Sequence, residues 1–165
     1  MSAVILKPQP LTKAAFARFG EVLELEGAQH YGINQGFTER FHKLGEADTA
    51  AEGGSAIISM FVSEPRSAPI EIKLMERHPL GSQAFYPLQD RPWLVVVADD
   101  PLTPQSLHAF TASGQQGVNY ARNVWHHPLL VLDSDSRFLI VDRKGPGKNL
   151  EEFWFLDGTE IRLEL

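Results

Sequence analysis

The sequence predicts an all-β fold, either a barrel or a sandwich of short strands, with one short helix near its start. Short runs of apolar or alternating residues recur after residue 20, and stretches rich in Gly, Pro, Ser and Asp separate several of them. No helical period appears between successive runs, which makes an α/β fold the weaker alternative. This succession of short strands and turns is typical of antiparallel barrels and sandwiches.

The helix is predicted within LTKAAFARFG, residues 11–20. Thr12 can cap its first turn, and the Ala and Phe residues that follow have helical spacing. Gly20 can end the helix in the left-handed conformation.

The remaining segments have the pattern of strands separated by turns. In chain order the predicted strands are EVLEL (21–25), SAIISMFV (55–62), IEIKLMERH (70–78), QAFYPL (83–88), WLVVVA (93–98), LHAF (107–110), PLLVLD (128–133) and RFLIVD (137–142). Residues 46–54 are expected to form either a second short helix or a loop. The alternation of Ile161, Leu163 and Leu165 predicts a last strand, which lies at a sheet edge or crosses to a partner subunit.

Length and composition predict one globular domain over residues 1–165. A chain of 165 residues can bury a sizeable core. Its 43% hydrophobic and 22% charged residues are ordinary for a folded protein. The net charge of −6 and the lack of a dense Lys/Arg cluster argue against nucleic-acid binding, so we expect a small molecule or another protein as the partner.

The absence of cysteine excludes disulfides and thiolate metal sites, and it leaves His, Glu, Asp and Gln as possible metal ligands. No stretch approaches the ~20 apolar residues of a membrane span, and the N-terminal apolar run is too short for a signal peptide. We therefore expect a cytoplasmic protein without a membrane partner.

Two segments concentrate groups that can move a proton or bind a metal. In IEIKLMERH (70–78), regular alternation would put Glu76 and His78 on the same face as the apolar residues that precede them. A carboxylate among core residues needs a cation, a metal or several hydrogen bonds, because burying it without a partner is costly. The alternative is a strand that ends near Met75 and leaves both groups in solvent.

The second segment is NYARNVWHHPLLV (119–131), in which polar residues lead into an apolar strand. Adjacent strand residues point to opposite faces, so at most one of His126 and His127 can join an inward cluster. Two separated segments that each deliver inward polar groups favour a ligand set built from neighbouring strands of a barrel.

These segments also resemble those of a known family. ERHPLGSQAFYPL resembles the first motif of the cupin barrels, with Glu76, His78 and Gln83 at three of the ligand positions, and VNYARNVWHHP resembles the second motif, with His126 at the remaining one. Together with INQGFTERFHKL, PWLVVVA and the FLIVDR strand, they are similar to the ureidoglycolate lyase family over nearly the whole chain. The resemblance implies a cupin-like β-barrel or jelly roll and a homodimer.

The match to the cupin ligand pattern is incomplete, since Glu76 and Gln83 stand where His and Glu are usual. What remains is a two-His-one-carboxylate set of Glu76, His78 and His126, which suits a divalent first-row ion. Gln83 would be a weak, neutral fourth ligand. The resemblance suggests Ni²⁺, and a metal-free site in which Glu76 acts as the base is the alternative.

The reaction that the resemblance implies is cleavage of (S)-ureidoglycolate to glyoxylate and urea, a step of allantoin degradation in purine catabolism. A base takes the hydroxyl proton of this carbinolamine, an acid protonates the urea nitrogen, and a cation holds the carboxylate. Glu76, His78 and His126 are the candidate acid–base groups. Arg122 is the first candidate for the carboxylate and Arg40 the second, because arginine presents a planar fork of donors.

Asn34, Asn119 and Tyr120 are further candidates for substrate binding. Each also has a structural interpretation, since Asn34 can form a turn before Gly36 and the other two can close the turn after Gly117. Two other functions stay open because barrels of this kind host many activities. One is an amidohydrolase that releases ammonia instead of urea, and the other is a non-catalytic cupin that binds a small carboxylate.

Overall fold

A computed structural model describes residues 3–165, and it contains mostly strands and one short α-helix, as the sequence predicts. The helix α1 (Lys13–Phe16) lies between the second and third strands. In chain order the strands are β1 (Val4–Leu6), β2 (Gln9–Pro10), β3 (Gly20–Leu23), β4 (Gln29–Ile33), β5 (Thr38–His42), β6 (Ser55–Ser63), β7 (Leu74–Arg77), β8 (Gln83–Pro87), β9 (Trp93–Ala98), β10 (Leu107–Ala112), β11 (Gly117–Tyr120), β12 (Trp125–His126), β13 (Leu130–Val131), β14 (Ser136–Lys144), β15 (Glu151–Trp154) and β16 (Ile161–Leu163).

Two larger sheets form the barrel. One has the strand order β15-β7-β12-β9-β10-β2, with β13 also paired to β9, and the other has the order β3-β11-β8-β14-β6. Apolar residues of both sheets pack into one buried cluster, for example Val95 and Phe110 of the first sheet with Phe85 and Phe138 of the second. The main core therefore lies between the two sheets.

A second core lies on the outer face of the first sheet. Strands β1 and β16 pair in parallel, and they cover Leu94 and Val96 of β9. The alternate residues of β9, Val95 and Val97, belong to the inner core. Burial on both faces explains why WLVVVA is a continuous apolar run instead of an alternating one.

The predicted helix is present but shorter than expected. The Oγ1 of Thr12 accepts a hydrogen bond from the backbone N–H of Ala15 at 3.2 Å, as predicted for the cap, and the helix ends at Phe16. The prediction that Gly20 ends the helix was wrong, because Gly20 begins β3 with φ +147°. A Cβ at this position would collide with the backbone carbonyl of Asn119 on β11, so the close approach of two strands requires the glycine.

The segment 70–78 does not form one regular strand. Its first part runs beside β16, where the N–H of Ile72 donates to the carbonyl of Ile161 at 2.9 Å, whereas β7 lies between β15 and β12. Ile72 is buried in the outer core with Met75, while Glu76 lines a cavity together with Phe85 of the inner core. The predicted common face of Glu76 and the preceding isoleucines was therefore wrong, because the chain changes its pairing partner before β7.

Two further predictions have clear outcomes. Residues 46–54 form a loop with a 3₁₀ turn at Ala51–Gly53. The last strand pairs with β1 of the same chain. Within residues 3–165, no helix has the length and apolar character needed to span a bilayer.

Candidate active site

Three side chains from two neighbouring strands converge inside the barrel. Glu76 of β7 and His126 of β12 are cross-strand partners, and His78 follows β7 directly. One potential ligand atom of each residue lies within 4.8 Å of those of the other two. The structure thus brings together the carboxylate and the two histidines that the sequence singles out.

The backbone fixes the orientation of both imidazole rings. The Nδ1 of His78 is 2.8 Å from the carbonyl oxygen of Asn149, and the Nδ1 of His126 is 3.2 Å from that of His127. A carbonyl only accepts hydrogen bonds, so in each neutral ring Nδ1 carries the proton and Nε2 keeps its lone pair. Both Nε2 atoms are buried and have no hydrogen-bond partner among the described residues.

Burial keeps His126 and Tyr120 uncharged. Burial, helped by the nearby His78, lowers the pKa of His126 to about 3, so this ring is neutral at pH 7. Tyr120 of β11 stacks on the His126 ring, and burial together with the charge of Glu76 raises the pKa of its hydroxyl far above the usual range. The phenol therefore stays protonated and can serve as a hydrogen-bond donor.

Glu76 keeps its proton to a higher pH than an exposed carboxyl group does. Burial raises its pKa above the ordinary value, and the charge of Glu152, its cross-strand partner on β15, adds to this effect. The neighbouring His78 lowers the pKa by a smaller amount. A carboxyl group with a raised pKa is better suited to accept a proton than an exposed one.

The donor set fits a divalent ion. Two buried nitrogens without partners and one carboxylate match the two-His-one-carboxylate pattern of first-row metals. The Nε2 of Gln83 donates to the Oδ2 of Asp142 at 3.1 Å, while its Oε1 is buried without a partner among residues 3–165. This oxygen has no competing hydrogen bond, and its role as a neutral fourth ligand stays a prediction.

A cavity of about 420 Å³ opens beside Glu76, between β6 and the segment that follows β12. Apolar side chains such as Phe61, Phe85 and Leu129 form much of its wall. Arg66, in the loop after β6, lines it as well. The sequence reasoning did not consider Arg66, and its only signal there was a cation within the turn-forming stretch SEPRSAP.

The two adjacent histidines point to different places, as strand alternation predicts. His126 joins the cluster with Glu76, whereas His127 lines a neighbouring cavity of about 580 Å³ together with Lys73 and Trp154. Arg66 lines both cavities. The Nδ1 of His127 lies 2.7 Å from the carbonyl oxygen of Pro128. Burial lowers the pKa of His127 to about 4.

Comparison with known proteins identifies the family. The family model described as ureidoglycolate lyase matches residues 3–162. The chain belongs to the ureidoglycolate lyase family. It is 55% identical over 152 residues to ureidoglycolate lyase 1 of Rhizobium meliloti (strain 1021), covering 92% of this chain and 89% of that protein. The family resemblance of the sequence motifs is thereby confirmed.

Other relatives in the ureidoglycolate lyase family are similar over the same length. A ureidoglycolate lyase of Brucella anthropi is 56% identical over 157 residues, which are 94% of this chain and 92% of the relative. A ureidoglycolate lyase of Stutzerimonas stutzeri (strain A1501) is 49% identical over 158 residues, with 94% and 93% covered.

In this member of the ureidoglycolate lyase family, the first two arginine candidates do not line the cavity beside Glu76. The Nε of Arg122 donates to the carbonyl oxygen of Pro79 at 2.6 Å, and the side chain is exposed. Arg40 belongs to β5, which pairs only with β4 among the described strands, and it is exposed.

The two asparagine candidates have structural partners. Asn34 lies in the turn between β4 and β5, and its Nδ2 donates to the Oγ1 of Thr38 at 3.3 Å. The Nδ2 of Asn119 donates to the Oε1 of Glu21 and to the carbonyl oxygen of Glu46, each at 2.9 Å. The contact of Asn34 agrees with its interpretation as a turn residue, whereas Asn119 lies within strand β11 and does not close a turn after Gly117. Of the predicted substrate-binding residues, Tyr120 stacks on the histidine cluster.

Proposed function

We propose that this chain is a ureidoglycolate lyase, which cleaves (S)-ureidoglycolate to glyoxylate and urea. The observation that supports it most directly is the convergence of Glu76, His78 and His126 beside a cavity, in a chain of this family. The cavity of about 420 Å³ has room for a molecule of this size.

The reaction needs one proton to move from oxygen to nitrogen. The hydroxyl of the carbinolamine loses its proton, its O–H electron pair makes the C=O bond of glyoxylate, and the C–N bond breaks. The urea nitrogen takes the bond's electron pair and a proton. Substrate and products contain the same atoms, so a single group that accepts and then returns the proton is sufficient.

We assign that group to Glu76. Its raised pKa suits the acceptance of a proton from the hydroxyl, and the same carboxyl can return the proton to the departing urea nitrogen. His126 is a poor proton donor in this arrangement, because burial lowers its pKa and its Nδ1 bonds to a backbone carbonyl. Tyr120 stays protonated, so it can donate a hydrogen bond to substrate but not act as the base.

The same residues are the ligands that we propose for a metal ion. Glu76, His78 and His126 would hold it, with Gln83 as a weak fourth ligand, and the family resemblance suggests Ni²⁺. When bound, such an ion supplies positive charge that lowers the pKa of the substrate hydroxyl. An ion held by Glu76 would also lower the pKa of this carboxyl, so the raised pKa that favours Glu76 as the base is a property of the metal-free site.

Incubation of the purified protein with freshly prepared ureidoglycolate tests the proposal. Urea, ammonia and glyoxylate are assayed separately, before and after treatment with a chelator. We expect urea and glyoxylate in equal amounts without ammonia, and loss of activity after chelation that a divalent ion restores. Ammonia would indicate an amidohydrolase instead, and saturable glyoxylate binding without any turnover would indicate a non-catalytic carboxylate-binding protein.

We also propose that the chain forms a homodimer through the exposed edge strand β6, whose residues Met60 and Val62 also line the cavity beside Glu76. Ile58, Met60 and Val62 alternate along this nine-residue edge strand and are 74%, 54% and 60% exposed. Leu139 extends the strip across the paired strand β14. A monomer seldom exposes a contiguous apolar strip beside an unpaired edge. Light scattering should give twice the 18.4 kDa chain mass, and Met60→Lys should shift it to the chain mass.

A further inference from the structure

We propose that Arg66 binds the carboxylate of the substrate at the mouth of the cavity beside Glu76. The inference rests on the proposed function for the identity of the substrate. It replaces Arg122 and Arg40 as the carboxylate anchor, and it gives a role to the loop that connects β6 to the segment before β7.

Arg66 and Glu76 are the two charged residues that line this cavity. The rest of the wall consists of the β6 stretch 60–63, Phe85, and the Pro128–Leu129 segment, which carry no charge. A carboxylate that enters therefore meets one cation and one anion. Because like charges repel, the substrate carboxylate should sit against Arg66 and turn its other end, with the hydroxyl and the ureido group, toward Glu76.

The guanidinium of Arg66 is free to make this contact. It is exposed, it lines both this cavity and the neighbouring cavity of His127, and it has no hydrogen-bond or ion-pair partner within residues 3–165. By contrast, Arg77 pairs with Glu151 at 2.6 Å and lies over Trp125, and Arg143 donates to two backbone carbonyls. An unpaired guanidinium at a cavity rim is suited to a ligand with two coplanar oxygens, because its fork of N–H donors matches that geometry.

The apolar wall should strengthen the contact. Phe61 and Phe85 meet edge to face inside the cavity, with ring centroids 5.7 Å apart. A small ligand that fills the space displaces water from the rim, and a charge-assisted hydrogen bond gains strength as water leaves. Arg66 would thus orient the substrate so that its reacting hydroxyl lies near Glu76. Arg66 itself would take no part in the proton transfer.

Glyoxylate binding and ureidoglycolate turnover, measured together, test the proposal. Glyoxylate carries the carboxylate but cannot react, so its dissociation constant, measured by titration calorimetry, reports the anchor alone. The variants are Arg66→Gln, Arg66→Lys, and the rival Arg122→Gln. Arg18→Gln serves as the control, since it removes the same charge from an exposed ion pair with Asp99.

We expect Arg66→Gln to weaken glyoxylate binding at least about tenfold and to raise KM for ureidoglycolate by a similar factor. Arg66→Lys should restore part of the affinity, because the charge remains and the fork is lost. Arg18→Gln should match the wild type. Undiminished glyoxylate binding in Arg66→Gln, loss of binding in Arg122→Gln alone, or no glyoxylate binding by the wild type would each overturn the proposal.

The two readouts separate this inference from the proposed function. If glyoxylate binding depends on Arg66 while the wild type releases no urea, the carboxylate anchor stands and the lyase assignment fails. If the wild type and Arg66→Gln both release urea with the same KM, the lyase assignment stands and the anchor fails.

Discussion

The ring of Tyr120 stacks on the imidazole of His126, with centroids 4.1 Å apart and an angle of 6° between the planes. The Nδ1 of the same imidazole bonds to the carbonyl oxygen of His127. Packing on one face and a hydrogen bond at one edge together fix the position of Nε2. The site is therefore organised by residues on three separate strands before any ligand enters.

Removal of the Tyr120 ring should destabilise the protein strongly, whereas removal of its hydroxyl should not. Tyr120 is 4% exposed and packs on Phe16 and Phe85 as well as on His126. We expect Tyr120→Ala to lower the free energy of unfolding by about 3–5 kcal/mol and Tyr120→Phe by about 1 kcal/mol or less. Urea denaturation measures both, and equal stability of the two variants would refute the packing role.

Glu76→Gln should remove most turnover and leave the fold intact. The amide has nearly the same shape as the carboxyl but cannot accept the hydroxyl proton, and positioned acid–base groups contribute roughly 10²–10⁴-fold. His126→Ala should also remove most turnover. Rates with ureidoglycolate and circular dichroism spectra of both variants provide the check, and near-normal rates in both would disprove the site assignment.

The pH dependence of activity should report the environment of Glu76. A base acts only when deprotonated, so in the metal-free site, where burial raises the pKa of Glu76, kcat/KM should rise with pH through that pKa. Glu152→Gln removes a negative charge that contributes to this shift, so the acid limb should move to lower pH. An acid limb that stays in place in Glu152→Gln would argue against Glu76 as the base.

Stability should fall as the pH drops below about 6.5, the pKa of an unperturbed histidine. The folded-state pKa values of His126 and His127 are lowered to about 3 and about 4, so between these values and 6.5 the unfolded chain binds protons that the folded chain does not. The loss can reach about 1.4 kcal/mol per pH unit for each histidine.

The variant His127→Gln isolates one of the two histidines. The substitution removes the proton that His127 takes up on unfolding, so the unfolding free energy should depend less steeply on pH. Urea denaturation between about pH 7 and pH 5 measures this slope. The same slope in both proteins would mean that His127 is not neutral in the folded state.

Metal affinity should depend on a residue that is not itself a ligand. Asn149 holds the site through its backbone carbonyl, which bonds to Nδ1 of His78, and its Oδ1 accepts from the N–H of Leu80 at 2.8 Å. Asn149→Ala frees this loop, and we expect Ni²⁺ affinity of the chelator-treated protein to fall about 10–100-fold, as is usual for outer-shell partners. His78→Ala should abolish binding, and calorimetry with Ni²⁺ distinguishes the two effects. Wild-type Ni²⁺ affinity in both variants would exclude this ligand set.

Local patterns in the sequence predicted much of the fold but not the pairing of its strands. WLVVVA coincides with β9, and RFLIVD lies within β14, because burial on one or both faces leaves a direct trace in composition. The segment 70–78 misled the prediction, since the change of partner from β16 to β12 and β15 depends on residues distant in the chain. Alternation alone cannot reveal such a change.

The residues of the candidate site also divide into those that local sequence patterns reveal and those that they do not. Glu76, His78 and His126 could be found because a carboxylate and imidazoles are unusual next to core strands. Arg66 could not, because nothing in a Pro-containing loop indicates that it reaches the cavity of Glu76. Arg122 was attractive by its place next to the histidine motif, yet its Nε bonds to Pro79.

The pairing of β1 with β16 has a consequence during synthesis. β1 precedes the other described strands, and it cannot complete its pairing until β16, the last of them, has been synthesised. Until residue 163 is available, Ile70 and Ile72 lack the neighbours that cover them in the finished protein. The nascent chain therefore exposes apolar surface until β16 has emerged, so ribosome-associated chaperones should engage it up to that point.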